Sequence, residues 1–258
     1  MNRPGKNGAE NAMQNFYTPP DLINGTTAVI EGGEHRHATR SCRVRIDEVI
    51  GVTDGCGRRF YARIESIEHH RLTAVIEQDM SGVGEPDGFI TLALAAIMPA
   101  RFETAVEKCT ELGVRRIIPI ESNRCERGIV RRLKRDRLAR IALNSAKQSG
   151  RSWIPEISEP EGLMHLIQQG SGRLFAAFMS ADCRFEEAWR GNGCPVDVIL
   201  VVGPEGDFDG GEYRALREAG AVFFSLGGLT LRSETAAIAA TAAAAGVLQR
   251  ERTGSHQR

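Results

Sequence analysis

The sequence lacks closely spaced cysteines. Its six cysteines stand singly, and no two of them lie two to four residues apart. This spacing excludes the zinc-ribbon and CxxC redox motifs, which both need such pairs. We therefore expect reduced thiols, no bound metal and a cytoplasmic location. The cysteines are Cys42, Cys56, Cys109, Cys125, Cys183 and Cys194.

Long hydrophobic runs are also missing. The first 15 residues are polar and contain no apolar segment of the kind that forms a signal peptide. The least polar stretch, residues 235–248, is mostly alanine. It is too short for a membrane span, which takes about 20 strongly apolar residues. We expect a protein with no membrane partner.

The glycine motifs that bind phosphates are absent. No GxxxxGK[ST] occurs, and no GxGxxG follows a predicted strand, because Gly82 and Gly84 precede one. These absences argue against a P-loop nucleotidase and against a nicotinamide-dependent oxidoreductase.

Net charge is zero, with 33 basic and 33 acidic residues, but the charge is unevenly distributed. Between residues 115 and 151, twelve Lys and Arg residues face only three acidic ones, and a second cluster of His and Arg lies at residues 35–45. Local positive surface of this kind attracts a phosphate backbone. The alternative is a solvated helix face that acidic residues elsewhere neutralise. The candidate RNA contacts are Arg36, Arg40, Arg43, Arg124 and Arg151.

The chain divides into two regions with different patterns of apolar and polar residues. After a tail at residues 1–15, residues 16–85 contain short alternating runs separated by turns, which predict a small β-barrel or sandwich. Residues 89–250 alternate between strand and helix patterns, which predict a parallel sheet covered by helices on both faces. In this region, helical periodicity predicts one helix over residues 131–148 and a last helix over 234–249 with Ser233 as its N-cap.

Two loops in the last third of the chain carry the strongest functional signal. Gly203-Pro204-Glu205-Gly206-Asp207 follows the apolar strand predicted at 196–202, and the loop 226–235 follows the next strand and leads into the last helix. Ligands of open α/β sheets bind beyond the carboxyl ends of the strands, and glycine lets the backbone approach a ligand closely. The loops therefore predict a ligand site, although tight turns also need glycine.

The residues GPEG and LGxxxLRSETA in these loops resemble those of the RsmE family, the 16S ribosomal RNA uridine-N3 methyltransferases of the SPOUT superfamily. The segments 107–114 (EKCTELGV) and 148–151 (QSGR) resemble further motifs of that family, so the resemblance covers nearly the whole chain. Two departures stand out. The family commonly has glycine where Asp207 stands, and Arg101 stands near the place of a basic residue usual in the family.

The resemblance implies an α/β methyltransferase domain with a SPOUT-type trefoil knot, preceded by a small PUA-like β-barrel that binds RNA. It also implies a homodimer, the cofactor S-adenosylmethionine, and 16S ribosomal RNA or the small ribosomal subunit as substrate. The implied cofactor pocket consists of Gly203, Glu205, Gly206, Leu226, Gly227, Leu231 and Ala236.

Methylation at uridine N3 requires the deprotonated ring, because the neutral imide is a poor nucleophile. A guanidinium can stabilise that anion and a carboxylate can accept the proton. We assign the first role to Arg232 and the second to Glu234 or Glu205. Two alternatives remain open: a ribose 2′-O-methyltransferase of the same superfamily and a non-catalytic RNA-binding protein.

Overall fold

The computed structural model describes residues 13–169 and 172–249, which form two compact units. The first unit contains the described residues up to Val83 and the later segment Lys147–Trp153. The second contains Gly84–Ala146 and the described residues from Ile154 onward. Most of the predicted tail, residues 1–12, lies outside the described residues, and the first strand already begins at Asn15.

The first unit is built on a six-stranded sheet in the order β1-β4-β5-β6-β3-β2. Neighbouring strands are antiparallel, except that β1 pairs with β4 in parallel. Along β5, buried and outward residues alternate, as expected for a sheet with one covered face. Fully buried Phe16, Ile50, Ile64 and Leu72 belong to its core. The strands are β1 Asn15–Tyr17, β2 Ile23–Asn24, β3 Thr27–Glu31, β4 Val49–Thr53, β5 Arg59–Ile67 and β6 Arg71–Asp79.

A short helical segment follows β3. It comprises helix α1, Gly32–Arg36, and a π-helical turn, His37–Cys42, which ends at Arg43 in a left-handed conformation with φ of 55°. This segment carries three of the arginines predicted to contact RNA. Its helical form was not predicted from the sequence.

The segment Lys147–Trp153 departs from the continuous domain boundary that the sequence suggested. The backbone nitrogen of Gly57 donates to the carbonyl of Ser152 at 3.0 Å. Lys147 Nζ lies 2.7 Å from Glu34 Oε1 in an ion pair that is mostly shielded from solvent. These contacts explain why the segment groups with the first unit although residues 89–146 do not.

The second unit contains a parallel sheet in the order β10-β8-β7-β12-β11-β13, with β9 also paired to β8. The two central strands are buried on both faces, as the apolar run at 196–202 predicted. The strands are β7 Phe89–Ala95, β8 Arg116–Glu121, β9 Glu156–Ile157, β10 Glu161–Gly162, β11 Arg173–Ala177, β12 Asp197–Val202 and β13 Val222–Phe224.

Helices cover both faces of this sheet. Leu92 and Leu94 of β7 belong to one core with residues of α2, α6 and α8, whereas Ala93 and Ala95 belong to a second core with α5 and α7. The predicted α/β class is therefore confirmed. The helices are α2 Pro99–Glu111, α3 Ile129–Arg132, α4 Arg135–Ser149, α5 Leu163–Gln169, α6 Phe185–Gly191, α7 Gly210–Glu218 and α8 Ser233–Leu248.

Two local predictions were wrong. The helix expected over residues 131–148 is two helices, because Leu133 is buried and adopts an extended backbone with ψ of 112° between α3 and α4. Ser233 is not the N-cap of α8: Arg232 occupies that position, and Ser233 is the first helical residue, with a buried side chain.

Candidate active site

Three parallel strands, β11, β12 and β13, end at one edge of the second sheet, and Ala177 and Val202 at the ends of β11 and β12 line a cleft there. Ala176 of β11 lies opposite Val201 of β12, and Ala177 lies opposite Phe224 of β13. The cleft encloses about 690 Å³, part of it open to solvent. The position is the one expected for the ligand site of an α/β sheet.

The two glycine-containing loops form the walls of this cleft. Six of the seven residues predicted to bind the cofactor line it: Gly203, Glu205, Leu226, Gly227, Leu231 and Ala236. Gly206 lies outside the lining, where its carbonyl accepts a hydrogen bond from Arg124 Nη1 at 2.7 Å. This hydrogen bond attaches the first loop to the segment that follows β8.

Glycine is needed at position 227. Its φ is +129°, a conformation that L-residues rarely adopt, and its backbone nitrogen donates to Ser225 Oγ at 3.1 Å. The hydroxyl of Ser225 thus holds the turn that brings the Gly227 backbone to the cleft.

Other lining residues were not predicted from the sequence. Phe178 and Met179, which follow β11, lie beside the cleft together with Leu229, Thr230 and Asp207. The end of β11 could have indicated Phe178 and Met179, because the carboxyl ends of neighbouring parallel strands lie at one edge of a sheet. Leu229, at 80% exposure, presents a large apolar side chain to solvent here.

The predicted catalytic residues lie in and beside the cleft. Glu205 lines it and is 55% exposed. Glu234 is only 13% exposed, and its Oε2 is buried without a hydrogen-bond partner in the described part of the chain. Arg232 is exposed and precedes Ser233, a lining residue.

Arg101, in the first turn of α2, connects the two carboxylates. Its Nη1 contacts Glu205 Oε1, and its Nε lies 3.8 Å from Glu234 Oε1. One guanidinium therefore contributes to the charge balance of both candidate bases.

The arginines predicted to contact RNA differ in their surroundings. Arg36, Arg40 and Arg43 are exposed, whereas Arg151 is 5% exposed and has partners within the fold. Arg36 and Arg40 line a basic cleft in the first unit, which the sequence analysis did not predict. Its lining consists of Glu31, Gly32, His35, Arg36, Arg40, His69, His70 and Arg71.

The positive cluster at residues 115–151 is partly neutralised. Four of its arginines form ion pairs with carboxylates from elsewhere in the second unit or in the cluster itself. The solvated and balanced helix face weighed as an alternative therefore describes Arg132, Arg135 and Arg137, which lie on α3 and α4. The pairs are Arg116–Glu156, Arg132–Glu126, Arg135–Glu159 and Arg137–Glu103.

Within residues 13–169 and 172–249, no group of three or more His, Cys, Asp or Glu side chains is arranged to hold a metal ion. Over the same residues, no helix has the length and apolar character required to cross a membrane.

Comparison with known proteins assigns both parts of the chain. Residues 85–245 match the RNA methyltransferase domain family, and residues 30–77 match the RNA methyltransferase PUA domain. The ribosomal RNA small subunit methyltransferase E of Mycobacterium tuberculosis is 31% identical over 240 residues, covering 88% of this chain and 89% of that protein.

Solved structures agree in fold. Ribosomal RNA small subunit methyltransferase E from Neisseria gonorrhoeae, bound to S-adenosylmethionine, has a TM-score of 0.76 and 30% identity, over 90% of this chain and 96% of that one. A methyltransferase from Legionella pneumophila, solved with the same cofactor, has a TM-score of 0.76 and 25% identity, over 91% and 97%. The PUA-like first unit and the SPOUT-type second unit are thus confirmed, and the chain belongs to the RNA methyltransferase family of the small subunit methyltransferase E proteins.

Proposed function

We propose that this protein methylates N3 of a uridine in 16S ribosomal RNA, with S-adenosylmethionine as the methyl donor. The observation that carries the proposal is the cleft at the ends of β11, β12 and β13, which has Glu205 in its wall and Arg232 beside it. Family membership and the cofactor bound by the relatives from Neisseria and Legionella support the same assignment.

The cleft suits an adenosyl group. Leu226, Leu231 and Ala236 offer apolar contacts for a flat ring, and Gly203 and Gly227 let a ligand approach the backbone closely because they have no side chain of their own. When bound, S-adenosylmethionine supplies an electrophilic methyl group on a sulfonium that leaves as a neutral thioether.

The residues around the cleft supply the two remaining requirements of the reaction, which are to stabilise the uracil anion and to accept the N3 proton. We assign to Arg232 the donation of hydrogen bonds to a uracil oxygen as negative charge develops on the ring, which lowers the barrier most when the donor is oriented beforehand. Of the two carboxylates, Glu205 is accessible from the cleft, so we propose that it accepts the proton from N3. Glu234, less exposed, then holds Arg101, which also contacts Glu205.

The decisive experiment is methylation in vitro. Purified protein, labelled cofactor and 16S ribosomal RNA, as free RNA and as assembled subunits, should yield N3-methyluridine after nuclease digestion and mass spectrometry. Methyl groups on ribose would instead identify a 2′-O-methyltransferase. No incorporation into either substrate, with the cofactor bound, would favour the non-catalytic RNA-binding protein.

We further propose that Arg36, Arg40 and Arg43 contact the RNA backbone. Arg36 and Arg40 have no ion-pair partner among the described residues, and the basic cleft that they line contains a single carboxylate, that of Glu31. Each phosphate contact releases counterions, so Arg36→Ala and Arg40→Ala should each reduce the slope of log affinity against log salt by about 1. Arg214→Ala, which alters an exposed arginine of the second unit, is the control.

A homodimer is the third part of the proposal. One face of α8 is buried in the second unit, whereas Thr235, Ala242 and Gly246 lie on an exposed face without charged side chains. A helix that is apolar on all sides is normally buried on all sides, and a second copy would cover this face. Light scattering at micromolar concentration should report twice the chain mass for the native protein and one chain mass for Ala242→Glu. A native monomer would refute the dimer.

A further inference from the structure

Asp207 has an unusual backbone conformation for a residue with a side chain. Its φ is +61°, in the left-handed region, which side chains other than those of Asn and Asp seldom adopt. Its backbone nitrogen donates to the carbonyl of Pro204 at 2.9 Å, which closes the loop that follows β12. The family commonly has glycine here, for which this conformation costs nothing.

The carboxylate of Asp207 is held in one orientation. Its Oδ1 accepts a hydrogen bond from Tyr213 Oη at 2.5 Å and another from the backbone nitrogen of Phe208 at 2.9 Å. The Tyr213 ring lies between Phe178 and Phe208, with centroid distances of 4.7 and 5.7 Å. Burial, and then the neighbouring Asp207 carboxylate, raises the pKa of Tyr213, so its hydroxyl remains a donor throughout the physiological range.

The second carboxylate oxygen of Asp207, Oδ2, is available to accept a hydrogen bond. Among the described residues no donor is bound to Oδ2, although Asp207 is exposed and lines the cleft. The other carboxylate in the lining, that of Glu205, already contacts Arg101. Asp207 therefore brings to the cleft lining an oriented carboxylate with one oxygen available to accept a hydrogen bond.

We propose that Asp207 binds the cofactor through Oδ2, accepting a hydrogen bond from a hydroxyl or ammonium group of the adenosyl ligand, and that Tyr213 is the positioning residue. The proposal rests on the proposed function, since it takes the cleft as the cofactor site. It assigns to a side chain of this protein a contact that a glycine at this position cannot make.

Calorimetric titration with S-adenosylhomocysteine tests the contact without requiring catalysis. Because a hydrogen bond to a charged group is stronger than a neutral one, Asp207→Gly should weaken binding by about 10- to 100-fold. Tyr213→Phe leaves the carboxylate unanchored and should weaken binding by a smaller factor, about 2- to 10-fold. Asp197→Asn, at the opposite end of β12, is the matched control and should bind like the native protein.

Ligand analogues identify the donor. Analogues that lack the 2′-hydroxyl, the 3′-hydroxyl or the amino group are titrated against the native protein and against Asp207→Gly. The analogue without the partner group should bind the native protein more weakly than the parent compound does. It should bind Asp207→Gly as well as the parent does, because the site has then lost the matching acceptor.

The outcomes separate the two proposals. If the native protein fails to bind S-adenosylhomocysteine, the proposed function falls. If the native protein and Asp207→Gly bind it equally, or if every analogue loses affinity equally in both proteins, only the role of Asp207 is overturned. Asp207→Gly should fold normally, since glycine suits a φ of +61°, and thermal unfolding will verify this.

Discussion

Replacing Gly227 by alanine tests whether backbone conformation shapes the proposed cofactor site. A Cβ at this position would lie 3.6 Å from Arg184 Nη1, an ordinary contact, so the substitution does not fill the cleft. The cost arises from the φ of +129°, because unfavourable backbone conformations of this kind cost about 1–3 kcal/mol. The following residues, Gly228 to Thr230, are exposed, so the free loop can relax into another shape.

Binding must then restore the original loop conformation, and the free energy of that strained conformation is subtracted from the free energy of binding. At 1.36 kcal/mol per tenfold, the affinity for S-adenosylhomocysteine should fall by about 5- to 150-fold, while the melting temperature changes little. Isothermal titration calorimetry measures the affinity. Gly228→Ala is the matched control: its φ is not in the positive range, and its added Cβ meets no described atom within 4 Å. Equal affinity of the two variants in folded protein would refute the argument.

Three other predictions concern chemistry, reactivity and packing. Arg232→Ala should lower turnover by about 10²–10³-fold with little change in cofactor affinity; near-normal uridine methylation by mass spectrometry would contradict its role. Burial raises the pKa of Cys109 to about 12, so a thiol reagent should label exposed Cys194 in the folded protein and Cys109 only after unfolding; equal labelling rates would argue against this packing. Leu200→Ala should reduce the free energy of unfolding by about 2–5 kcal/mol in a denaturant titration, and a negligible loss would mean that this strand is not in the core.

The elements that local patterns determine were predictable from the sequence. The strand at 196–202 shows as an uninterrupted apolar run because both of its faces are covered, and Gly113 marks the end of α2 with a φ of +102°. The two loops of the cleft were found because each follows such a strand. These signals arise within a few residues, so no knowledge of distant contacts is needed to recognise them.

Features that depend on contacts between distant residues were not predictable. Leu133 continues the helical periodicity, yet its burial between α3 and α4 requires an extended backbone. Phe178 joins the cleft only because β11 lies between β12 and β13, an order that periodicity does not encode. The role of Arg101 likewise depends on packing that brings α2 to the start of α8.

The pairing of β7 with β12 has a consequence for how the protein folds. Leu92 lies opposite Leu200, so the centre of the second sheet joins strands that are more than one hundred residues apart in the chain. Closing so long a loop costs chain entropy before any favourable contact forms, and folding becomes slower as contacts become less local. During synthesis, β7 and β8 therefore emerge well before β12. The edge of β7 that pairs with β12 stays unpaired until then. We expect the second unit to assemble late and cooperatively, with its ligand cleft completed only when the start of α8 has been made.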